Sequence, residues 1–382
     1  MTNPIVIIGS GFAAYQLVKA IRRIDNTIPI DVFTADEGHD YNKPDLSHAI
    51  SNQQLAGDLI RSCGESVAES LNFRLHANTY IDAIDTERKC ITSAERQYSY
   101  SKLVLATGAN AFVPPMTGTA ADTVITLNSL EEYEKHQDEL HRAERVLVIG
   151  GGIIGSELAM DIATSGKQVV LVEPCESLMS GMLPDYIGYQ LEKALKRQGA
   201  KVQTQDTVIA LNRLSETDGI AVTLKSGREF IVDAAISAAG LVPNTSLAND
   251  GGITVNRGIV VDSTLQTSAR DVYALGDCAE INGQVRAYLQ PALLSANALA
   301  KTLLGQATQL VMPPMMVKVK TPKYPIQLGG STISGVAKWQ LDIDASGCSA
   351  KSYNEHGKLV GFVVTEEQTK QAFPLLKALS ES

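Results

Sequence analysis

Apolar residues in this chain fall in short runs that end on glycine. Ile5-Val6-Ile7-Ile8 reads as a buried strand, Gly9-Ser10-Gly11-Phe12-Ala13-Ala14 as a tight turn, the amphipathic stretch to about Ile24 as a helix, and Ile30 to Thr34 as a second strand. That order predicts a βαβ opening. The pattern returns later: Val146-Leu147-Val148-Ile149, the turn Gly150-Gly151-Gly152-Ile153-Ile154-Gly155, a helix to about Ser165, and a strand Val169 to Val172. Between the two lie strand-like Ile81 to Ile84 and Leu103-Val104-Leu105, the latter running into Ala106-Thr107-Gly108. Val113-Pro114-Pro115 marks a domain crossing, and Glu131 to Arg145, charged in both signs at helical spacing, reads as a solvated helix.

Past the second unit, Ile220 to Leu224 and Ala234 to Ser237 read as strands, and Gly240-Leu241-Val242-Pro243-Asn244 as a turn that returns the chain to the first domain. Tyr273-Ala274-Leu275-Gly276-Asp277 reads as a strand stopping at an acidic tip. A helical stretch, Pro291 to Leu304, precedes the Pro/Met-rich connection Val311 to Met316 and a mixed C-terminal segment. The expected fold class is α/β, with two Rossmann-like dinucleotide-binding domains and a small α+β C-terminal domain. The expected boundaries are 1–112 with 241–308, then 113–240, then 309–382.

A dinucleotide pyrophosphate is held by backbone N–H groups at a helix N-terminus, and glycine keeps the turn tight enough for close approach. With 30 glycines in 382 residues, three at fixed spacing arise by chance about once in five such chains. Context carries the rest: each turn follows an apolar strand, opens an apolar helix, and is followed by an acid near the end of the next strand. These acids are Asp36, with Glu37 adjacent as the other candidate, and Glu173. A carboxylate there accepts hydrogen bonds from ribose hydroxyls and repels a 2′-phosphate, so Glu173 predicts NADH over NADPH.

Composition narrows the remaining classes. Hydrophobic residues at 44% and charged residues at 20% suit a soluble globular protein. No apolar run approaches the roughly 20 residues that span a bilayer. Met1 to Pro4 lacks a basic flank and a cleavage site, so a cytoplasmic protein is expected. The five cysteines (Cys63, Cys90, Cys175, Cys278, Cys348) have no paired spacing and read as buried or free thiols. The six histidines lack ligand spacing, and no metal is assigned. A net charge of −9 disfavours nucleic acid as a partner.

The sequential order of Gly9-Ser10-Gly11, Ala106-Thr107-Gly108, Gly150 to Gly155 and Tyr273 to Asp277 resembles the pyridine-nucleotide:FAD reductases across about residues 1–300. The resemblance implies FAD at the first turn, NADH at the second, and Asp277 as a ligand of the flavin's ribityl region, where a carboxylate accepts hydroxyl hydrogen bonds strongly. A closer resemblance, essentially full-length, is to the rubredoxin reductases. It is carried by Tyr41-Asn42-Lys43-Pro44-Asp45-Leu46-Ser47-His48, by Ala274 to Val285 and by Val319-Lys320-Thr321-Pro322. Within that branch it implies as partner the rubredoxin domain of flavorubredoxin, an anaerobic nitric oxide reductase.

The same resemblance implies that Lys43 lies near the flavin and pairs with Glu157, close to the nicotinamide, where a lysine would stabilise negative charge arriving with hydride. It carries over Lys320 as a further flavin contact, Ile81 and Leu289 as backbone neighbours, Ala35 on the adenosine side, Gly276 beside Asp277, and Gly240 among the cofactor contacts. The implied chemistry is hydride transfer from NADH to FAD N5, then single electrons to an iron centre. Two alternatives stand beside it: a [2Fe–2S] ferredoxin as acceptor, and a slow-turnover FAD/NADH-binding interaction protein. No cysteine pair flanks either turn, unlike the disulfide reductases, so electrons leave from the flavin directly. Ala372 to Ser382 is short and polar-tipped, which argues against membrane docking. Rubredoxins of the family are acidic, so a basic patch has to steer them to a chain of charge −9. Lys43, Lys318, Lys320, Lys323 and the pair Arg22-Arg23 are the candidates.

Overall fold

The computed structural model describes residues 3–216 and 218–381, without the side chain of Glu381. Met1 and Thr2 of the N-terminal reading, and Ser382 of the polar tip, lie outside the described residues. The chain divides into two compact units, both discontinuous. The first holds the residues up to Lys43, Gly57–Asn110 and Leu241–Met312; the second holds Pro44–Ala56, Ala111–Gly240 and the chain from Pro313 onward.

Five parallel strands form the central sheet of the first unit, in the order Val272–Ala274, Lys102–Leu105, Ile5–Ile8, Ile30–Phe33, Arg74–His76. The strand Ile5–Ile8 is apolar throughout and buried, and in Lys102–Leu105 the three residues after Lys102 are apolar and buried, as parallel strands covered on both faces must be. The helix Phe12–Arg22 packs against Leu289–Leu303 through Ala14, Leu17, Val18 and Ile21. Of these the fully buried Leu17, Val18 and Ile21 each contribute about 1.5–3 kcal/mol. A three-stranded antiparallel sheet, Ala83–Asp85, Cys90–Ser93 and Arg96–Ser99, completes the pattern.

The second unit repeats this plan. Its four parallel strands run Lys201–Thr204, Gln168–Glu173, Arg145–Ile149, Ala234–Ser237, beside an antiparallel trio Val208–Arg213, Ile220–Leu224 and Glu229–Val232. In both units the strand that leads into the glycine turn has a parallel neighbour on each side, which places the turn at a topological switch point. The segment from Met316 is a five-stranded antiparallel sheet, in the order Met316–Val319, Ile326–Gly330, Leu359–Thr365, Gly347–Tyr353, Lys338–Asp344. The helix Ala372–Glu381 packs on it over Phe362 and Val364.

Some expected boundaries move. The strand expected at Ile81 to Ile84 is Ala83–Asp85, because Ile81 is a core residue ahead of the ladder and Asp82 receives the amide of Ala94. The first helix stops at Arg22, where its guanidinium turns back onto backbone carbonyls, so it does not reach Ile24. Leu241–Pro243 is a short strand rather than a bare turn. The charged stretch forms the helix Leu130–Arg142, and Arg145 belongs to the next strand, with Asp233 as its ion-pair partner.

Candidate functional site

In the first unit, Gly9 has φ +114°, and a Cβ there would meet the Ala106 carbonyl oxygen at 2.2 Å. Glycine is therefore what lets the turn lie against Ala106-Thr107-Gly108. Gly11 caps the helix Phe12–Arg22 with no side chain bonded to the first-turn amides, and the space a Cβ would take at Gly11 is open. Uncapped N–H groups at a positive helix end, beside open space, fit a pyrophosphate.

The acid of this turn is Asp36. Its Oδ1 receives the hydroxyls of Ser10 at 3.0 Å and Thr34 at 2.6 Å and the Gly38 amide at 2.8 Å, which fixes the carboxylate beside the turn. Glu37 is exposed and salt-bridged to His39 at 2.8 Å, so Asp36 is the one tied to the nucleotide turn. Ala35 is exposed beside it, and Ile81 is buried in the core.

Gly276, at φ +80°, brings the 3₁₀ turn Gly276–Cys278 against the first helix, where a Cβ would sit 2.8 Å from that of Ala13. Thr107 and Asn244 lock the neighbouring loop by reciprocal bonds: the Thr107 hydroxyl donates to the Asn244 carbonyl and the Asn244 amide to the Thr107 carbonyl, both at 2.8 Å. Asp277 lies 4.0 Å from the Lys43 ammonium. Burial pushes the Asp277 carboxyl above the usual range, and Lys43 works against that shift. The first unit thus gathers Gly9 to Ala14, Ala106 to Gly108, Gly276, Asp277 and Lys43 at one end of its sheet. Leu289 is exposed at the start of its helix.

In the second unit, Gly150 has φ +103°, and a Cβ there would meet the Ala238 carbonyl oxygen at 2.7 Å; one at Gly155 would meet the Gly150 carbonyl oxygen at 1.8 Å. Gly152 caps Ile153–Thr164 without a side-chain bond and with open space beside it, which gives the second turn the same fit to a pyrophosphate. Ile154 is exposed at this mouth. Glu173 accepts the Gly151 amide at 2.5 Å on one oxygen and the Cys175 amide at 2.9 Å on the other, so the acid is bound to its own glycine turn. Each oxygen retains acceptor capacity for a ribose hydroxyl. Gly240, at φ +115°, accepts the Phe112 amide at 2.9 Å.

Lys43 finds Asp277 within the first unit, whereas Glu157 in the second accepts the Lys320 amide at 2.7 Å. The Lys320 ammonium donates to the Pro44 carbonyl at 2.9 Å. Arg22 is a structural residue: its guanidinium donates to the carbonyls of Leu71, Asp25, Ile28 and Asn72. Asp161 and Ser51 are not singled out in the sequence, and His48 enters there only as the end of the segment Tyr41 to His48. The signal for Asp161 is an acid four residues after Glu157 in an otherwise apolar helix. All five cysteines are free thiols, Cys63 and Cys175 exposed and the others buried.

Residues 3–298 match the family model described as pyridine nucleotide-disulphide oxidoreductase, and residues 309–379 the one described as rubredoxin binding C-terminal domain. The chain belongs to the pyridine nucleotide-disulphide oxidoreductase family. Similar members include the nitric oxide reductase FlRd-NAD(+) reductase of Aliivibrio fischeri, 55% identical over 380 residues that span 100% of this chain and 99% of the relative. The protein of the same name from Vibrio vulnificus is 52% identical, spanning 100% of this chain and 99% of the relative. Among solved structures of this fold, NADH:rubredoxin oxidoreductase from Clostridium acetobutylicum has a TM-score of 0.80 at 23% identity, covering 100% of this chain and 96% of that one. A putidaredoxin reductase in covalent complex with putidaredoxin has a TM-score of 0.89 at 21% identity, covering 99% of this chain and 93% of that one. Among the described residues no helix is long and apolar enough to cross a membrane.

Proposed function

We propose that this chain is an NADH-dependent FAD flavoprotein that reduces the rubredoxin domain of flavorubredoxin. The observation that carries this reading is the end-to-end identity with FlRd-NAD(+) reductases, together with a C-terminal segment matching a rubredoxin-binding domain. FAD, when bound, supplies the conversion of the two electrons of NADH into single electrons for an iron centre.

The chain's own residues bind and orient. Gly9 to Ala14 and Ala106 to Gly108 line the FAD pyrophosphate side, Asp36 with Ala35 the adenosine ribose, and Gly276 with Asp277 the ribityl chain, with Ile81 and Leu289 as neighbours. Lys43, held near Asp277, supplies a cation on the flavin side. Gly150, Gly152, Ile153, Ile154 and Gly155 hold the NADH pyrophosphate, with Gly240 as a neighbour. Glu173 takes the ribose, and Glu157 serves the nicotinamide end, linked to Lys320 through the latter's amide. In this reading 1–112 with 241–308 is the FAD domain, 113–240 the NADH domain, 309–382 the docking domain, and the protein works in the cytoplasm.

The test is anaerobic reduction of an isolated rubredoxin domain by NADH and catalytic amounts of the protein. The expected result is bleaching of the ferric rubredoxin absorbance, much faster with NADH than with NADPH. Ferricyanide reduction without rubredoxin bleaching would overturn the assignment of the acceptor.

A further inference from the structure

The carboxylate of Asp36 is held by Ser10, by Thr34 and, through Gly38, by Tyr15. Thr34 follows the strand Ile30–Phe33 and gives its hydroxyl to Oδ1 at 2.6 Å; Ser10, inside the first glycine turn, reaches the same oxygen at 3.0 Å. The two hydroxyl oxygens are 2.8 Å apart. The Gly38 amide is the third donor on Oδ1, at 2.8 Å. Tyr15, in the first turn of the helix Phe12–Arg22, donates its hydroxyl to the Gly38 carbonyl and so holds the residue that supplies this amide. Burial, with Asp36 and Asp40 adding to it, pushes the Tyr15 phenol above its ordinary value, which keeps it a donor.

Ser10, Thr34 and Tyr15 are buried, whereas Asp36 is half-buried between exposed Ala35 and Glu37. The path of the backbone is fixed separately, because the Thr79 amide donates to the Thr34 carbonyl at 2.7 Å and the Asn78 amide to the Asp36 carbonyl at 2.8 Å. The side-chain bonds therefore set the carboxylate rather than the chain. Their distribution is one-sided: all three donors fall on Oδ1, and among the described residues none falls on Oδ2. Each carboxylate oxygen offers two lone pairs, so Oδ1 is fully engaged and Oδ2 keeps its capacity. Glu173, in the second unit, takes one amide on each oxygen instead. An acid at the end of the second strand of such a unit serves the ribose 2′-hydroxyl of a bound dinucleotide, and an ionised acceptor strengthens that bond.

We propose that Ser10, Thr34 and Tyr15 are positioning residues that engage Oδ1 of Asp36, leave Oδ2 for the 2′-hydroxyl of the adenosine ribose, and so set how far the first unit prefers FAD to a cofactor lacking that hydroxyl. The inference rests on the assignment of FAD to the first glycine turn, with Asp36 at its ribose.

The test compares FAD with its analogue carrying 2′-deoxyadenosine. Each is loaded into the protein by exchange, and its affinity is read from the flavin released on dilution, with bound and free flavin separated by ultrafiltration. The unsubstituted protein should hold the analogue about tenfold more weakly, the loss of one hydrogen bond to a charged acceptor. Ser10→Ala with Thr34→Val should weaken FAD about tenfold and leave the affinity for the analogue as it was, so that the ratio of the two falls towards one. Each single substitution should lower the ratio less, since the remaining hydroxyl still meets Oδ1. Thr34→Ser keeps the hydroxyl and should keep the ratio. Tyr15→Phe should lower it severalfold, through Gly38 alone.

Hydroxyls that only brace the turn would weaken both flavins equally, so an unchanged ratio across these variants would overturn the proposal. Asp36→Asn is the reference. It should bring the ratio near one, and adding Ser10→Ala and Thr34→Val to it should change the ratio no further. If Asp36→Asn lowers the ratio and the hydroxyl variants do not, the positioning role falls and the ribose assignment stands. If the unsubstituted protein holds both flavins alike, Asp36 is not the ribose ligand and the two fall together. Circular dichroism identifies the variants that fold, and the single substitutions carry the test where the double one does not.

Discussion

A methyl group at position 9 would have to share space with the Ala106 carbonyl, 2.2 Å away, at a φ of +114° that L side chains rarely adopt. Gly9→Ala should therefore cost about 2–4 kcal/mol of stability and most of the bound FAD, read by urea denaturation and the flavin-to-protein absorbance ratio. Wild-type flavin content in this variant would contradict the turn's role. Glu157 offers a test in pH. Its carboxyl is held above the ordinary 4.5, chiefly by burial, so the folded chain binds this proton more tightly than the unfolded chain does. Its stability contribution is therefore complete below the ordinary value and is lost as pH rises through the folded value. Glu157→Gln keeps an oxygen for the Lys320 amide and removes the titration. Its melting temperature should gain on the wild type's between about pH 4 and pH 8, and parallel curves would refute the burial argument. The residue scale is also where sequence spacing is weakest. Asp36 and Glu37 are equivalent as letters, and the difference between them comes from Thr34, two residues earlier, and from Ser10, which reaches Asp36 from the first glycine turn.

At the scale of elements, each strand–turn–helix ties its acid back to the chain. The tie is most direct at Glu173, whose two oxygens take the Gly151 and Cys175 amides. Glu173→Ala should raise the NADPH-to-NADH ratio of kcat/KM by roughly ten- to a hundredfold, because removing the charge removes the repulsion of a 2′-phosphate. An unchanged ratio would mean that another group discriminates. Elements of this type were legible because their period is local: four buried apolar residues, a glycine turn, then an amphipathic helix. The ends were less so. Arg22 ends its helix through carbonyls as far along the chain as Leu71 and Asn72, and Ile81 is buried without belonging to the strand that follows.

For the whole molecule, charge is unevenly distributed. The chain carries −9, yet the segment 309–379, which matches the rubredoxin-binding domain, holds more lysines than acids. Encounter with an acidic rubredoxin then depends on that local excess, and its rate should fall as salt screens it. The double substitution Lys318→Glu with Lys323→Glu should lower kcat/KM for the rubredoxin domain severalfold at low salt and flatten its dependence on ionic strength, with KM for NADH unchanged. A salt profile identical to wild type would place the docking charges elsewhere.

By itself the sequence determined the two βαβ nucleotide units, their glycine turns and the acids that follow them, because these features are written in residues close along the chain. The resemblance to rubredoxin reductases, carried by longer segments, supplied the cofactors and the partner. Tertiary structure decided the ion pairs. Lys43 lies near Asp277, Glu157 takes the amide of Lys320, and Asp161 gathers His48 and Ser51. These partners are more than 100 positions apart in sequence, and no periodicity records which of several buried charges will satisfy which. Packing makes that choice, since a buried carboxylate takes the donors that the folded chain delivers to it.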